Sequence, residues 1–258
     1  MKKLKILLSL LVVSFTLTGC LGSLSDAKRL AKSNQNMDNL DNYSMKMIID
    51  FEIETEGMTV GVKIDADSKI DAKNLITEID MDMEFLGMNF SAKNYTIVNG
   101  SNITTYTNTS DSDEWYKETA IYDVLEDQNE SVANIISVVT SGATIEKKSS
   151  NREGSDYYVI SLNKESVEKL LKESNGLAGD DLVGEDYEII GDLDVDVYIN
   201  SDNYITFMEM DLSDVIKFTE SVEGTKFNKM KMSFEFGDYN KLGSITIPQS
   251  IIDTAIEE

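Results

Sequence analysis

Four carboxylates stand at alternate positions in the stretch Thr77–Phe85: Glu78, Asp80, Asp82 and Glu84. Asp192, Asp194 and Asp196 repeat the spacing further on. Acids at the first, third and fifth positions open an EF-hand calcium loop, which also needs glycine at the sixth for its sharp turn. This chain has Phe85 at the sixth position counted from Asp80, and Val197 counted from Asp192. Apolar residues fill the gaps: Ile79, Met81 and Met83 in one stretch, Leu193 and Val195 in the other. Acid and apolar groups alternating at period two describe a strand with a wet face and a dry face. No metal site is therefore assigned. The polar tip around Asp111 and Asp113 reads as a solvated loop.

Other chemistry is limited by what the chain lacks. It has 0 histidines, so the commonest general base and zinc ligand are missing, and neither a Ser-His-Asp nor a Cys-His site can be built. Its 1 cysteine excludes an intrachain disulfide. No nucleophile elbow, Walker loop or dinucleotide-binding glycine pattern occurs. Two acids about 5–9.5 Å apart in a cleft could hydrolyse a glycoside, but among 47 acidic residues such pairs arise by chance. The expectation is a protein that is not an enzyme and uses no cofactor. A net charge of −24 disfavours nucleic acid, whose phosphates need lysine and arginine, and disfavours a body lying on anionic lipid.

The cysteine has a telling place. Lys2, Lys3 and Lys5 precede an apolar run from Ile6 to Leu17, too short to cross roughly 30 Å of hydrocarbon as a mature helix. The run closes on Leu17-Thr18-Gly19-Cys20. This resembles the lipobox of bacterial lipoproteins. The resemblance implies cleavage before Cys20, a diacylglycerol thioether on its sulfur, and anchorage on the extracytoplasmic face of the cell membrane. Residues 1–19 would be the signal peptide, 20–24 the lipidated cysteine and its short tether, and 25–258 a single domain.

Periodicity locates the elements beyond the tether. Ser25–Leu40 carries apolar residues near one helical face. The period then changes to two. Odd positions from Tyr43 to Ile53 are apolar: Tyr43, Met45, Met47, Ile49, Phe51 and Ile53. Further strands are expected at 58–67, 74–85, 88–98 and 103–107, with Asn99-Gly100 as a type I′ turn, and then at Trp115–Lys117. Helices are expected over 120–141 and from Asn163 to Ser174, and strands over 143–148, 157–162, 187–199, 204–212, 227–236 and 244–247. A short helix follows Pro248. The near-absence of βα alternation argues against a doubly wound sheet.

So many one-faced strands and so few helices predict an α+β fold: one large curved antiparallel sheet, a half-barrel, with a few helices covering its concave face. The candidate lining of that face is Met45, Met47, Phe51, Met81, Met83, Phe85, Met230, Met232 and Phe234. Methionine suits irregular apolar surfaces. The same stripe at strand period also suits an ordinary packed core.

The layout is similar to that of Gram-positive surface lipoproteins of unknown function, and through them to the LolA/LppX-like lipoprotein-carrier fold. The likeness rests on the lipobox, the amphipathic helix running into Leu40-Asp41-Asn42-Tyr43-Ser44-Met45-Lys46-Met47, the long alternating strands, the Trp115-Tyr116-Lys117 strand and the ending Phe234–Pro248. It implies a cavity between sheet and helices that holds a lipid or other amphiphile, with Cys20 as the membrane attachment. The alternative is a cell-envelope interaction protein with a filled core, acting on a protein partner or a cation through its acidic surface.

Overall fold

The computed structural model describes residues 24–55, 57–121, 143–168, 187–218 and 225–257. In chain order the elements are α1 (Leu24–Asp38), β1 (Asn42–Thr55), β2 (Met58–Asp71), β3 (Ile76–Phe85), β4 (Met88–Asn99), β5 (Asn102–Thr109), β6 (Tyr116–Ile121), β7 (Thr144–Lys148), β8 (Ser155–Leu162), β9 (Tyr187–Ile189), β10 (Leu193–Asn200), β11 (Ile205–Asp211), β12 (Ile216–Phe218), β13 (Thr225–Gly237), α2 (Gln249–Thr254) and β14 (Ile256–Glu257). Residues 1–23, which hold the expected signal peptide and Cys20, and most of the two expected central helices lie outside the described residues.

The main sheet has 12 strands in the order β14-β6-β5-β4-β3-β2-β1-β13-β11-β10-β8-β7. Its two ends do not meet, so it is a large open sheet, as the patterning predicts, rather than a closed barrel. Successive hairpins run from β1 to β6, and β13 returns from late in the chain to pair with β1. The sheet is mixed rather than purely antiparallel, because β14 pairs with β6 in parallel. A small second sheet joins β9 to β12.

Four expectations are corrected. The run 187–199 is two strands, broken at Ile190-Gly191-Asp192, where the Ile190 amide donates to the Val215 carbonyl at 2.7 Å. The segment 244–247 forms no strand, although its alternation is kept: Ile245 is buried and Thr246 exposed. Ile247 instead packs against the sheet face beside Tyr95, Tyr106 and Ile251. The β4–β5 turn is centred one residue later than expected. Asn99 pairs with Asn102, leaving Gly100-Ser101 as the loop, and of these two only Gly100 has positive φ, at 65°. That is the type II′ pattern, which asks for glycine at the first central position alone. Ala120 and Ile121, expected to start a helix, end β6 instead.

The two faces of the sheet differ sharply. Directly paired residues on adjacent strands share a face. On one face Val195, Val197, Ile160 and Tyr158, at most 2% exposed, pack with Leu30 of α1, Val167, and Ile189 and Ile216 of the second sheet. The amide of Ser166 donates to Asn163 Oδ1 at 2.9 Å, the cap expected at the start of the turn that carries Val167. On the other face cross-strand ion pairs form a lattice: Lys46 to Asp65 at 2.6 Å, Lys93 to Glu78 at 2.7 Å, Lys231 to Glu209 at 2.7 Å, and Lys229 to Asp50. That face carries apolar side chains in two places: Tyr157, Tyr198 and Phe207 pack together beside Arg152, and a second patch lies under α2. There Tyr95 and Tyr106 are covered by Ile251, with Trp115, Ile247 and Ala255 packed alongside.

Candidate functional site

All nine candidate lining residues fall on the apolar face. In β1, Met45, Met47 and Phe51 share a side because they are two or four residues apart. Register extends this side outward: Met47 pairs with Phe234 and Ala66, and Phe51 with Met230 and Val62. Ala66 in turn pairs with Met81, Ile64 with Met83 and Val62 with Phe85. Met232 joins the row through Ile49. One such row crosses nine strands: Phe90, Met83, Ile64, Ile49, Met232, Met210, Val195, Ile160 and Ile145.

Burial along this row is graded. Towards β7, its members belong to the buried core beneath α1 or pack against it, Met232 and Met210 among them, and Met230 of the adjoining row does the same. Across β1 and β3, Met45, Met47, Phe51, Met81, Met83 and Phe85 are only half-buried, as is Phe234 of β13, while the small Ala66 of β2 between Met47 and Met81 is buried. At β4 the face opens, with Met88 50% and Phe90 44% exposed. Sequence reasoning therefore found one stripe where the molecule has two environments. It also missed the contribution of β2, β4 and β11. Period-two apolar runs at Val62-Ile64-Ala66 and Met88-Phe90-Ala92 were the available signal.

Beyond β4 the same face becomes polar. Thr105, Thr107 and Thr109 of β5 with Tyr116 and Glu118 of β6 line an open recess of about 250 Å³. The alternation of threonine in β5 was its only mark in the sequence.

The acids that opened the sequence reading stay on the opposite face. Lys93 sits between Glu78 at 2.7 Å and Asp80 at 3.1 Å. Burial works against its charge, but the hydrogen bonds it donates to these two acids outweigh it and hold the ammonium above the usual lysine range. For Glu78, burial pushes the carboxyl up, yet Lys93 and Lys69 together hold it below its ordinary value. Ser91 donates to Asp82. Asp192, Asp194 and Asp196 each have a separate partner: the Lys164 amide, the Ser161 hydroxyl and the Tyr157 hydroxyl. Burial first, and then the Asp196 carboxylate, raise the Tyr157 phenol. These are structural pairings of strand acids rather than a convergent ligand set.

Among the described residues no helix is long and apolar enough to cross a membrane. The chain belongs to a family of unknown function, DUF6612, which matches residues 27–256. A search of curated proteins by sequence finds no match. Among solved structures the chain is similar to the lipoprotein LppX of Mycobacterium tuberculosis, at 12% identity and a TM-score of 0.48, covering 87% of this chain and 100% of that one. It is also similar to LprF of Mycobacterium bovis, at 12% identity and a TM-score of 0.47, covering 89% and 99%.

Proposed function

We propose that this protein is a non-catalytic lipoprotein, attached through Cys20 to the outer face of the cell membrane, that holds a lipid or other amphiphile on its apolar sheet face. The observation that carries the reading is the half-buried methionine and phenylalanine surface spanning β13, β1, β2 and β3. It continues the packed core without sharing its full burial. An acyl chain laid across it would remove apolar surface from water at about 25 cal/mol per Å². Flexible methionines fit chains of varied length better than branched residues do.

Native mass spectrometry after mild detergent extraction tests the site. The expected result is co-purifying lipid and binding of a fluorescent fatty acid; a bare protein that binds neither removes the proposal. The anchor is tested separately, since Cys20→Ser should move the protein out of the membrane fraction.

A second reading has its own support. Met230 and Met232 pack against the buried cluster, as they would in a filled core. If the whole face were filled in this way, the protein would act through its acidic surface on an envelope partner or a cation. A sealed face that admits no amphiphile favours that reading.

A further inference from the structure

The recess on β5 and β6 is continuous with the apolar face. Thr109 pairs with Ala92, and Ala92 with Met81. One row along, Tyr116 pairs with Thr107, Thr107 with Asn94, and Asn94 with Ile79. Ile79 pairs with Ser68, and Ser68 with Met45. Moving from β1 towards β6, one face therefore passes from Met45 and Met81 through small and amide side chains to three threonines, a tyrosine and a carboxylate. Among the described residues no lysine or arginine lines the recess. Lys117, between Tyr116 and Glu118, points to the opposite face and pairs with Glu257 at 2.9 Å.

The hydroxyls here are already ordered. Thr105 and Thr96 hydroxyls share a hydrogen bond at 3.3 Å, and the Tyr116 hydroxyl donates to Glu114 at 3.4 Å. A hydrogen bond from Thr109 helps hold the Asp111 carboxyl below its usual range. Each hydroxyl offers one donor and two acceptor positions, so these bonds leave capacity for a ligand. Behind the recess, Tyr106 of β5 is buried under Ile251 of α2, and the Ile256 amide donates to the Trp115 carbonyl at 2.8 Å. The lining strands are thus braced from the far side, which fixes the spacing of the hydroxyls.

We propose that this recess is the headgroup subsite of the amphiphile site, and that it takes a neutral, hydroxyl-rich head such as glycerol or a single sugar. The proposal rests on the reading of the apolar face as the acyl site. A volume of about 250 Å³ is the space of about eight waters at about 30 Å³ each, enough for a small polyol. Hydroxyls both donate and accept, and so match a polyol, whereas the Glu118 carboxylate repels an anionic head. A cationic head would satisfy Glu118 and leave the threonine ladder unused.

The test is native mass spectrometry of the full chain titrated with three probes that share a dodecyl chain: dodecyl glycerol, dodecanoate and dodecyltrimethylammonium. Dodecyl glycerol should bind best. Thr105→Val with Thr107→Val keeps β-branching, and hence the strands. It should weaken the glycerol probe about tenfold, the scale of a lost net hydrogen bond or two, and leave dodecanoate unchanged. Glu118→Gln should strengthen dodecanoate. Equal binding of all three heads, tightest binding of the cation, or variants without effect would overturn the headgroup assignment while the acyl reading stands. If none of the probes binds, both fall together.

Discussion

The graded burial of the apolar face makes a quantitative prediction, best tested by comparing two truncations. Leu193 is 1% exposed and lies in the packed core beneath α1. Leu193→Ala removes buried methyl and methylene groups and leaves a cavity that the surrounding strands cannot close, at a cost of about 2–5 kcal/mol. Met83 lies on the same face but is half-buried. Its truncation forfeits only part of the roughly 1.5–3 kcal/mol that full burial of such a side chain contributes, so Met83→Ala should cost about 1 kcal/mol. Denaturant unfolding followed by fluorescence of the single tryptophan reads both. Trp115 is well placed as a probe, because it packs against Tyr95 with ring centroids 5.7 Å apart. Midpoint shifts at constant slope give the two costs. Binding should rank the variants the other way. Met83→Ala should weaken a fluorescent fatty acid by roughly tenfold, about 1.4 kcal/mol of lost contact, while Leu193→Ala leaves binding of the folded fraction unchanged. If Met83→Ala costs as much stability as Leu193→Ala and does not alter binding, the face is packed core throughout and the amphiphile site does not exist.

Three further outcomes follow from local geometry. Glu78 has its carboxyl held below the ordinary 4.5, so its pairing contributes stability above that pH and loses it as the pH falls through the depressed value. Thermal melts of Glu78→Gln and the parent should therefore differ at pH 7 and converge in strong acid. Leu86 sits at φ 51° in the β3–β4 turn and is 59% exposed, so Leu86→Asn should raise the unfolding free energy, read from the denaturant midpoint, by about 0.5–1 kcal/mol, since asparagine tolerates that backbone region far better. Ile251→Ala removes the cover from Tyr95 and Tyr106. It should cost about 2–4 kcal/mol and shift Trp115 emission to the red as the C-terminal segment loosens.

Much of the sheet was legible because period two is a strong signal when one face is dry and the other charged. β1, β3 and β13 appear where the alternation of methionine and phenylalanine with acids and lysines places them. The acids at Asp80 and at Asp194 and Asp196 fall in β3 and β10, the strands that their alternation with apolar residues describes. What misled was alternation without a ladder. Ile245 is buried, Thr246 exposed, and Ile247 packs beside Tyr95 and Tyr106, so the alternation there comes from packing on the sheet face rather than from a ladder. The break at Gly191 was equally hidden, since Ile189 and Leu193 keep the same period on either side of it.

Cys20, the surplus of acid and the nine apolar lining positions are properties of the sequence itself, since composition and spacing alone determine charge, motif and which side chains share a strand face. Pairing between distant segments is not local, and only the tertiary structure decides it. It sets β13 beside β1, so that Met232 and Ile49 continue one row. It lays α1 over the β7 side of that row, leaving Phe90 at the other side exposed. It also brings Thr107 and Glu118 to the open end of the same face. A single period-two stripe thereby becomes a core at one end, a half-covered apolar surface in the middle and a polar recess beyond, because burial depends on what the chain folds across a strand and not on the strand's own residues.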